Sequence, residues 1–532
     1  MAEQSAAPTY TGLVLAGLAR NPGRVAIRYG ETALTAQDCL DGVYRTARAL
    51  AAAGLGRGDG VTVLAGNRPE TVLVRLAANL LGCRVALPYP DGPVAEQVAA
   101  AAFVRTDALV FDPARCAAAA GRIARALPSV GLFALGPTAP GSTTPGSTVL
   151  GPPPLGADLA ELAAAHSPAP LAPRYRPEDI MAVRFTGGTT GRPKGVLRPF
   201  ARPPRPELPS GAVFLLCTPF CHGGGTTADL ALAAGGTVVL QDGFAAGAVL
   251  AAVERFRVSR AYLPPHLLYQ VLDHPALPRT DTGSLRRVGY TGCLPSPQRL
   301  AEATRRLGRV LHQTYSLTEC GPVSRLSPDE HLDPRLLTTA GRPFPDTEVR
   351  IVDEDGRGLP PGRTGEICVR SPTVMAGYWR DPELTARVLR DGWLHTGDLG
   401  SLDAAGYLTV AGRRDPMAIV DGHNVFPRDV EGPLRAHPEV REAVMFATTG
   451  PDRLERVHAA VAAAPGSRLT VDQLHRWSLE HGGPRCAPDT ILLLPGIPLT
   501  SAGKPDLAVL RTLAEGRAAA VSPTPTGARE GA

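Results

Sequence analysis

The chain has 532 residues, 44% apolar and 20% charged, with a formal net charge of +5 and nine cysteines. That length suggests roughly two to four domains with sizeable cores. The charge is spread without a basic block, the cysteines are scattered without a CxxC pair, and no apolar run nears the ~20 residues of a membrane span. Nucleic-acid binding, a disulfide framework and a transmembrane protein are therefore excluded as readings.

Glycine and proline together exceed a fifth of the residues, but without a G-x-y period. We read this as a bias of composition, shared with alanine and arginine, not as collagen or disorder. The same bias leaves only two lysines in the chain, Lys194 and Lys504. A lysine that persists in such a background is a candidate for work that needs a compact, mobile ammonium instead of a planar guanidinium. Cys217, Cys221 and His222 lie close together, but their spacing does not suggest a metal site.

The N-terminal stretch has no basic leader, and its apolar run is short and broken by Gly and Arg. It does not read as a signal peptide, and the chain is expected to be soluble and cytoplasmic. Residues 35–54 carry apolar positions at helical spacing. GRGDGVTVLAG then turns into a strand, and NRPETVLVRLAANLLG into another helix. Strand-like runs recur at 61–65, 107–111, 213–217, 237–240 and 259–263, with helical patterns between several of them. That alternation predicts an α/β fold of layered sheets and helices with largely parallel sheet.

Residues 137–156 form a Pro/Gly/Ser/Thr loop. From 348 to 410 the character changes to short strands, Glu348–Val352, Gly365–Val369 and Gly406–Val410, joined by DEDG and LDAAG turns. A compact unit with its own strands and helices follows from about 412 to 511, and the last twenty residues read as a solvated tail. The domains expected are a large N-terminal one over 1–411, including the small β-rich part, a smaller α+β one over 412–512, and a disordered tail over 513–532.

The stretch 185–196 reads FTGGTTGRPKGV. Glycines at 187, 188, 191 and 195 let backbone amides turn inward, and the threonine hydroxyls add short donors, so the loop suits phosphate oxygens. It is not a Walker loop, because Pro193 precedes Lys194 and biases Arg192 towards extended geometry.

Further stretches follow in order: TPFCHGGG (218–225), TYSLTE (314–319), GEICVRSPTVMAGYW (365–379), DGWLHTGDLG (391–400), GRRDPMAIVDGHNVFPRDVE (412–431) and PLTSAGKPDLAVLR (498–511). In this order they resemble the motifs of the adenylate-forming superfamily: acyl-CoA synthetases, adenylation domains and luciferases. The pattern is most similar to fatty-acid or aryl acid–CoA ligases, and the resemblance spans nearly the whole chain.

The resemblance implies a reaction and a site. A carboxylate attacks the α-phosphate of ATP, pyrophosphate leaves, and an acyl-adenylate remains. Thr186, Thr189, Thr190 and Lys194, with the glycines 187, 188 and 191, are then expected at the β- and γ-phosphates. Tyr315 is expected against adenine, Thr318 at the α-phosphate, and Glu319 on Mg²⁺, an ion that takes only one or two protein carboxylates. Asp398 is expected on the ribose hydroxyls with Arg413 beside it, and Gly292 and Cys293 beside adenine and substrate.

Lys504 is expected on a mobile C-terminal domain, bridging the substrate carboxylate and the α-phosphate. The hinge of that domain falls on Asp415. Gly422 corresponds to the glycine of a pantetheine tunnel, and His222 to the mouth of the acyl pocket. The catalytic set is thus Lys504, Thr318, Glu319, Lys194 and His222, and the cofactors are ATP, Mg²⁺ and CoA.

Four departures bear on the acid and the acceptor. Pro416 replaces the usual acid at the hinge, and Ile419 stands where many CoA ligases have a lysine. RPFARPPRPELPSG carries too many prolines for a helix, and YTGCLPS replaces a Gly-Gly-Ala-Pro-like turn. The leading expectation is an AMP-forming acid–CoA ligase. The alternative is an adenylating enzyme of secondary metabolism with another acceptor or oxyacid: a carrier-protein thiol, an amine, or nitrite for diazotisation. A nucleotide-binding protein without activity is disfavoured by Lys194, Glu319, Asp398 and Lys504. HGGG at 222–225 has the look of a hydrolase oxyanion loop, but the chain has no G-x-S-x-G elbow.

Overall fold

The computed structural model describes residues 9–136, 155–186, 194–201, 208–292, 295–413, 418–420, 423–449, 455–483, 487–500 and 504–521. The helix expected at 35–54 runs from Ala36 to Ala52. Its start is set by a reciprocal pair: the Asp38 amide donates to Thr35 Oγ1 at 3.0 Å, and the Thr35 amide to Asp38 Oδ2 at 2.8 Å. Cys39, Val43, Ala47 and Leu50 recur at helical spacing and are fully buried on one face.

Two large sheets dominate the N-terminal part. In the first, six parallel strands stand side by side: Val25–Tyr29, Thr237–Leu240, Val213–Leu216, Arg260–Tyr262, Arg287–Tyr290 and Leu311–Leu317. Antiparallel strands close both edges, Thr32–Thr35 on one side and Gly321–Leu326 with Arg342–Pro343 on the other.

The second sheet has seven strands. Six are parallel, among them Gly60–Leu64, Ala108–Phe111 and Ile180–Thr186, and the antiparallel Lys194–Pro199 forms its edge. Gly60–Leu64 is buried at every position, as a parallel strand covered on both faces must be. The largest core joins both sheets, with Val63 and Val110 from one and Phe214 and Leu240 from the other. The expected parallel strands are all present. The parallel strands Val25–Tyr29, Ile180–Thr186, Arg287–Tyr290 and Leu311–Leu317, and the antiparallel edges, go beyond that expectation.

The β-rich part is a five-stranded sheet that includes Glu348–Val352, Gly365–Arg370, Trp393–Leu402 and Leu408–Arg413. This last strand crosses the 411/412 division, so Gly412 and Arg413 belong to the N-terminal sheet.

Beyond it, Val440–Thr449, Glu455–Ala463 and Thr490–Leu494 form a three-stranded sheet. The helices Pro427–Arg435 and Val471–Gly482 cover one face through Val430, Leu434 and Leu474. The helix Leu507–Val521 covers the other, where Leu510 and Ala514 pack on Val444, Phe446 and Leu492. The boundary of the tail at 513 is thus corrected: residues 513–521 continue this helix, because Ala514 completes an apolar stripe begun at Leu507. Asp415, Pro416, Gly422 and residues 522–532 lie outside the described residues.

Candidate active site

FTGGTTGRPKGV spans the hairpin at the edge of the seven-stranded sheet. Thr186 and Lys194 are register partners across it, while Gly187, Gly188, Thr189, Thr190 and Gly191 lie outside the described residues. Arg198, four residues beyond Lys194, donates to the carbonyl oxygens of Thr318 and Thr373. That contact ties the lysine strand to the turn that carries Glu319.

TYSLTE occupies the end of strand Leu311–Leu317 and the turn into Gly321–Leu326, with a register shift at Tyr315/Ser316. Glu319 is held at both ends. Its backbone carbonyl accepts from the Met375 amide at 2.6 Å, and its Oε1 accepts from the Tyr378 hydroxyl at 2.9 Å. Oε2 remains available as a single hard oxygen ligand, which fits a Mg²⁺ ion that keeps most of its waters.

Asp398 and Arg413 face each other on the paired strands Trp393–Leu402 and Leu408–Arg413. Arg413 Nε donates to Asp398 Oδ1 at 3.0 Å, and the Tyr315 hydroxyl donates to Oδ2 at 2.5 Å. Asp398 is only 6% exposed. Burial raises its pKa, opposed by Arg413 and by the Tyr315 hydrogen bond. Each oxygen keeps a second lone pair, so the carboxylate can still accept from a diol. Gly292 turns with φ +103°, a left-handed conformation that glycine supplies without strain, beside Thr291, whose Oγ1 is 3.3 Å from Ser316 Oγ. Cys293 is outside the described residues.

His222 stands at the N-cap position of the helix Gly223–Ala233, without a side-chain capping bond. A Cβ at Gly225 would lie 2.0 Å from the Phe220 carbonyl oxygen, and one at Gly224 2.6 Å from Thr218 Oγ1. Gly224 and Gly225 therefore let the helix begin against the preceding loop, which explains these two glycines without oxyanion chemistry. The His222 ring stacks on Tyr89, with centroids 6.0 Å apart. Burial, then the charges of Lys504 and His266, push its pKa down to about 4, so the imidazole is neutral at physiological pH.

Lys504 belongs to the C-terminal unit, and its carbonyl accepts from the Thr500 amide at 2.7 Å. In this arrangement Arg441 pairs with Asp273 of the N-terminal part at 3.0 Å. Lys194, Lys504, His222, Glu319, Asp398 and Arg413 all line one cleft of about 2240 Å³. Pockets for one small ligand run about 300–1,000 Å³. This cleft has room for a nucleotide and a second substrate together.

The sequence reading gave no role to Tyr378, Arg198 or the buried trio Tyr10, Arg75 and Asp229. Asp229 carried a signal, as the one charged residue in the helix Gly223–Ala233. Tyr378 and Arg198 act across tertiary contacts and had none. Among the described residues the only group of metal-ligating type is Glu366, Cys368 and His395, away from the cleft. His395 Nδ1 lies 2.9 Å from Glu366 Oε2 and 3.3 Å from Cys368 Sγ, an internally satisfied network.

Two parallel-cored sheets, a hairpin carrying a lysine, and a tyrosine–aspartate–arginine group lining one cleft with a second lysine are the features of a nucleotide-dependent, adenylate-forming enzyme. Residues 16–379 match the family model described as AMP-binding enzyme, and the chain belongs to that family. Over 95% of its length it is 32% identical to the medium/long-chain-fatty-acid–CoA ligase FadD8 of Mycobacterium tuberculosis, covering 90% of that protein. Feruloyl-CoA synthase of an Amycolatopsis species is 32% identical over 91% of this chain and 94% of its own. Among solved structures, the amide bond synthetase McbA from Marinactinospora thermotolerans superposes with a TM-score of 0.83 at 37% identity, over 95% of this chain and 99% of that one.

Proposed function

We propose that this enzyme activates a carboxylic acid as its acyl-adenylate and then forms a CoA thioester. The reading rests on one observation above all: the chain's two lysines, from different structural units, line the same cleft. In the first step a carboxylate oxygen attacks the α-phosphorus as the bond to pyrophosphate breaks, and negative charge gathers there. Lys504 approaches that centre from the C-terminal unit, Lys194 and Thr186 hold the outer phosphates with the loop 187–191, and Thr318 donates to the α-phosphate. Asp398 accepts the ribose hydroxyls, Tyr315 lies against the base, and Glu319 holds Mg²⁺, which supplies charge neutralisation on the phosphates. His222, uncharged, lines the mouth of the acid pocket.

Asp398→Asn keeps the shape of this group and removes its charge. Hydrogen bonds to charged groups are worth about 1.5–3 kcal/mol. The KM for ATP is therefore expected to rise roughly 10-fold or more, with kcat changed less, in a pyrophosphate-release assay. An unchanged KM would remove Asp398 from the nucleotide site.

The second step needs the C-terminal unit beyond Arg413 to turn about a hinge near Asp415, with Pro416 fixing its own φ beside it. Pantetheine then passes Gly422, where a side chain would obstruct it. Gly422→Leu is expected to abolish thioester formation and spare pyrophosphate release, read by mass spectrometry with ATP, CoA and a panel of aliphatic and aromatic acids.

A second reading, with an amine as acceptor, is favoured by the 37% identity to an amide bond synthetase. It predicts that wild type consumes no CoA with any acid that triggers pyrophosphate release, and that Gly422→Leu leaves product formation intact. A carrier-protein thiol in place of CoA is told apart by adding a pantetheinylated carrier protein to the same assay and looking for its acylation.

A further inference from the structure

The wall of the cleft beside His222 is charged, and its charge does not balance. Tyr10 opens the helix Tyr10–Ala19, Arg75 lies in the helix Pro69–Leu80, and Asp229 in the helix Gly223–Ala233. Asp229 is 1% exposed. It accepts from Arg75 Nη2 at 2.6 Å on one oxygen and from the Tyr10 hydroxyl at 2.6 Å on the other. One carboxylate and one guanidinium thus cancel.

Arg184 adds a second guanidinium to the same wall. It sits on strand Ile180–Thr186. Its charge is felt at the Tyr10 hydroxyl and the Cys221 thiol. Its hydrogen-bond partner is neutral: Nη2 donates to Thr226 Oγ1 at 2.9 Å, and no carboxylate among the described residues pairs with it. Arg184, Thr226, Tyr10, Arg75 and Asp229 all line the cleft that holds Lys504.

A guanidinium cannot shed its charge, and in a partly desolvated wall it is best matched by an oxyanion offering two acceptor oxygens. A plain alkyl chain laid against it would leave its donors without partners, at a cost.

We infer that Arg184 recognises an anionic oxygen group carried by the substrate acid in addition to the carboxylate that reacts, so that this enzyme selects a dicarboxylate or similarly doubly anionic acid over a simple fatty acid. The inference rests on the acid-activating reading above. The nucleotide's terminal phosphate is the other possible source of such an anion, and the test separates the two.

Wild type, Arg184→Leu and Arg184→Lys are supplied with ATP and matched pairs of aliphatic and aromatic monocarboxylates and dicarboxylates. Pyrophosphate release is followed, and binding of the same acids to the nucleotide-free enzyme is measured by calorimetry. Wild type is expected to favour the dicarboxylate of some pair by about 10- to 100-fold in kcat/KM and in affinity, the discrimination of a charge-assisted contact. Arg184→Leu should erase that ratio, Arg184→Lys should keep part of it, and the KM for ATP should not move.

A wild-type ratio near one or below for every pair overturns the inference, and so does a ratio that survives Arg184→Leu. A rise in the KM for ATP with the acid ratio unchanged assigns the guanidinium to the nucleotide and also overturns it. If Arg184→Leu does not fold, the wild-type ratio and Arg184→Lys still decide. Silence of every acid in pyrophosphate release, with the calorimetric ratio intact, would count against adenylation and leave the pocket assignment standing.

Discussion

Lys504→Ala is expected to slow adenylation by about 10²–10³-fold, the usual loss when one preorganised donor to a developing charge is removed. ATP affinity should change little, because the other phosphate and ribose contacts proposed above come from the N-terminal part. Lys504→Arg should also be strongly impaired. An ammonium on a flexible stem follows a phosphorus centre whose geometry changes during the reaction, while a planar fork favours one arrangement.

Lys504 lines the same cleft as Lys194 and His222, and this is the observation behind the expectation. The check is single-turnover pyrophosphate release, with nucleotide binding measured in parallel. A near-normal rate for the alanine variant would mean that Lys504 is an ordinary surface residue. Loss of ATP binding along with the rate would mean that it serves the ground state.

The second large effect concerns stability. Asp229→Ala is expected to lower it by about 3–5 kcal/mol, because it leaves the buried Arg75 charge without a counter-ion. Arg75 is 7% exposed, its Nε has no hydrogen-bond partner, and its guanidinium lies over the Phe220 ring, 4.4 Å from the centroid. Water cannot easily replace the lost carboxylate. Arginine cannot neutralise itself by losing a proton.

The double variant Arg75→Met with Asp229→Leu should recover much of the loss, since replacing a buried pair by apolar groups of similar volume is often neutral. Urea unfolding followed by tryptophan fluorescence checks both, because Trp379 and Trp393 report the N-terminal part and only Trp477 the C-terminal one. A double variant no better than the single one would show that shape, and not unpaired charge, dominates the site.

Much of the fold was legible because parallel strands and the helices between them are written in short apolar runs and 3.6-residue periods. Gly60–Leu64 and the helix Ala36–Ala52 carry their burial in their own residues, and Thr35 and Asp38 mark a helix start with local chemistry alone. The helix Leu507–Val521 was not legible to its end. Past Leu510 its residues are alanine-rich, and only the sheet face at Val444 and Phe446 makes Ala514 a core position.

For the site, residue order by itself determined the family pattern and singled out Lys194 and Lys504 against an arginine background. Tertiary structure alone decided what else faces what: that the Tyr315 hydroxyl joins the expected Arg413 on Asp398, that Tyr378 holds Glu319, and that Arg184 adds a second guanidinium to a wall holding one carboxylate. The reason is physical. Helical and strand periods act over a few neighbours and leave a trace in the sequence, whereas a hydrogen bond or a charge balance between residues far apart in the chain depends on distances that exist only after the sheets have packed.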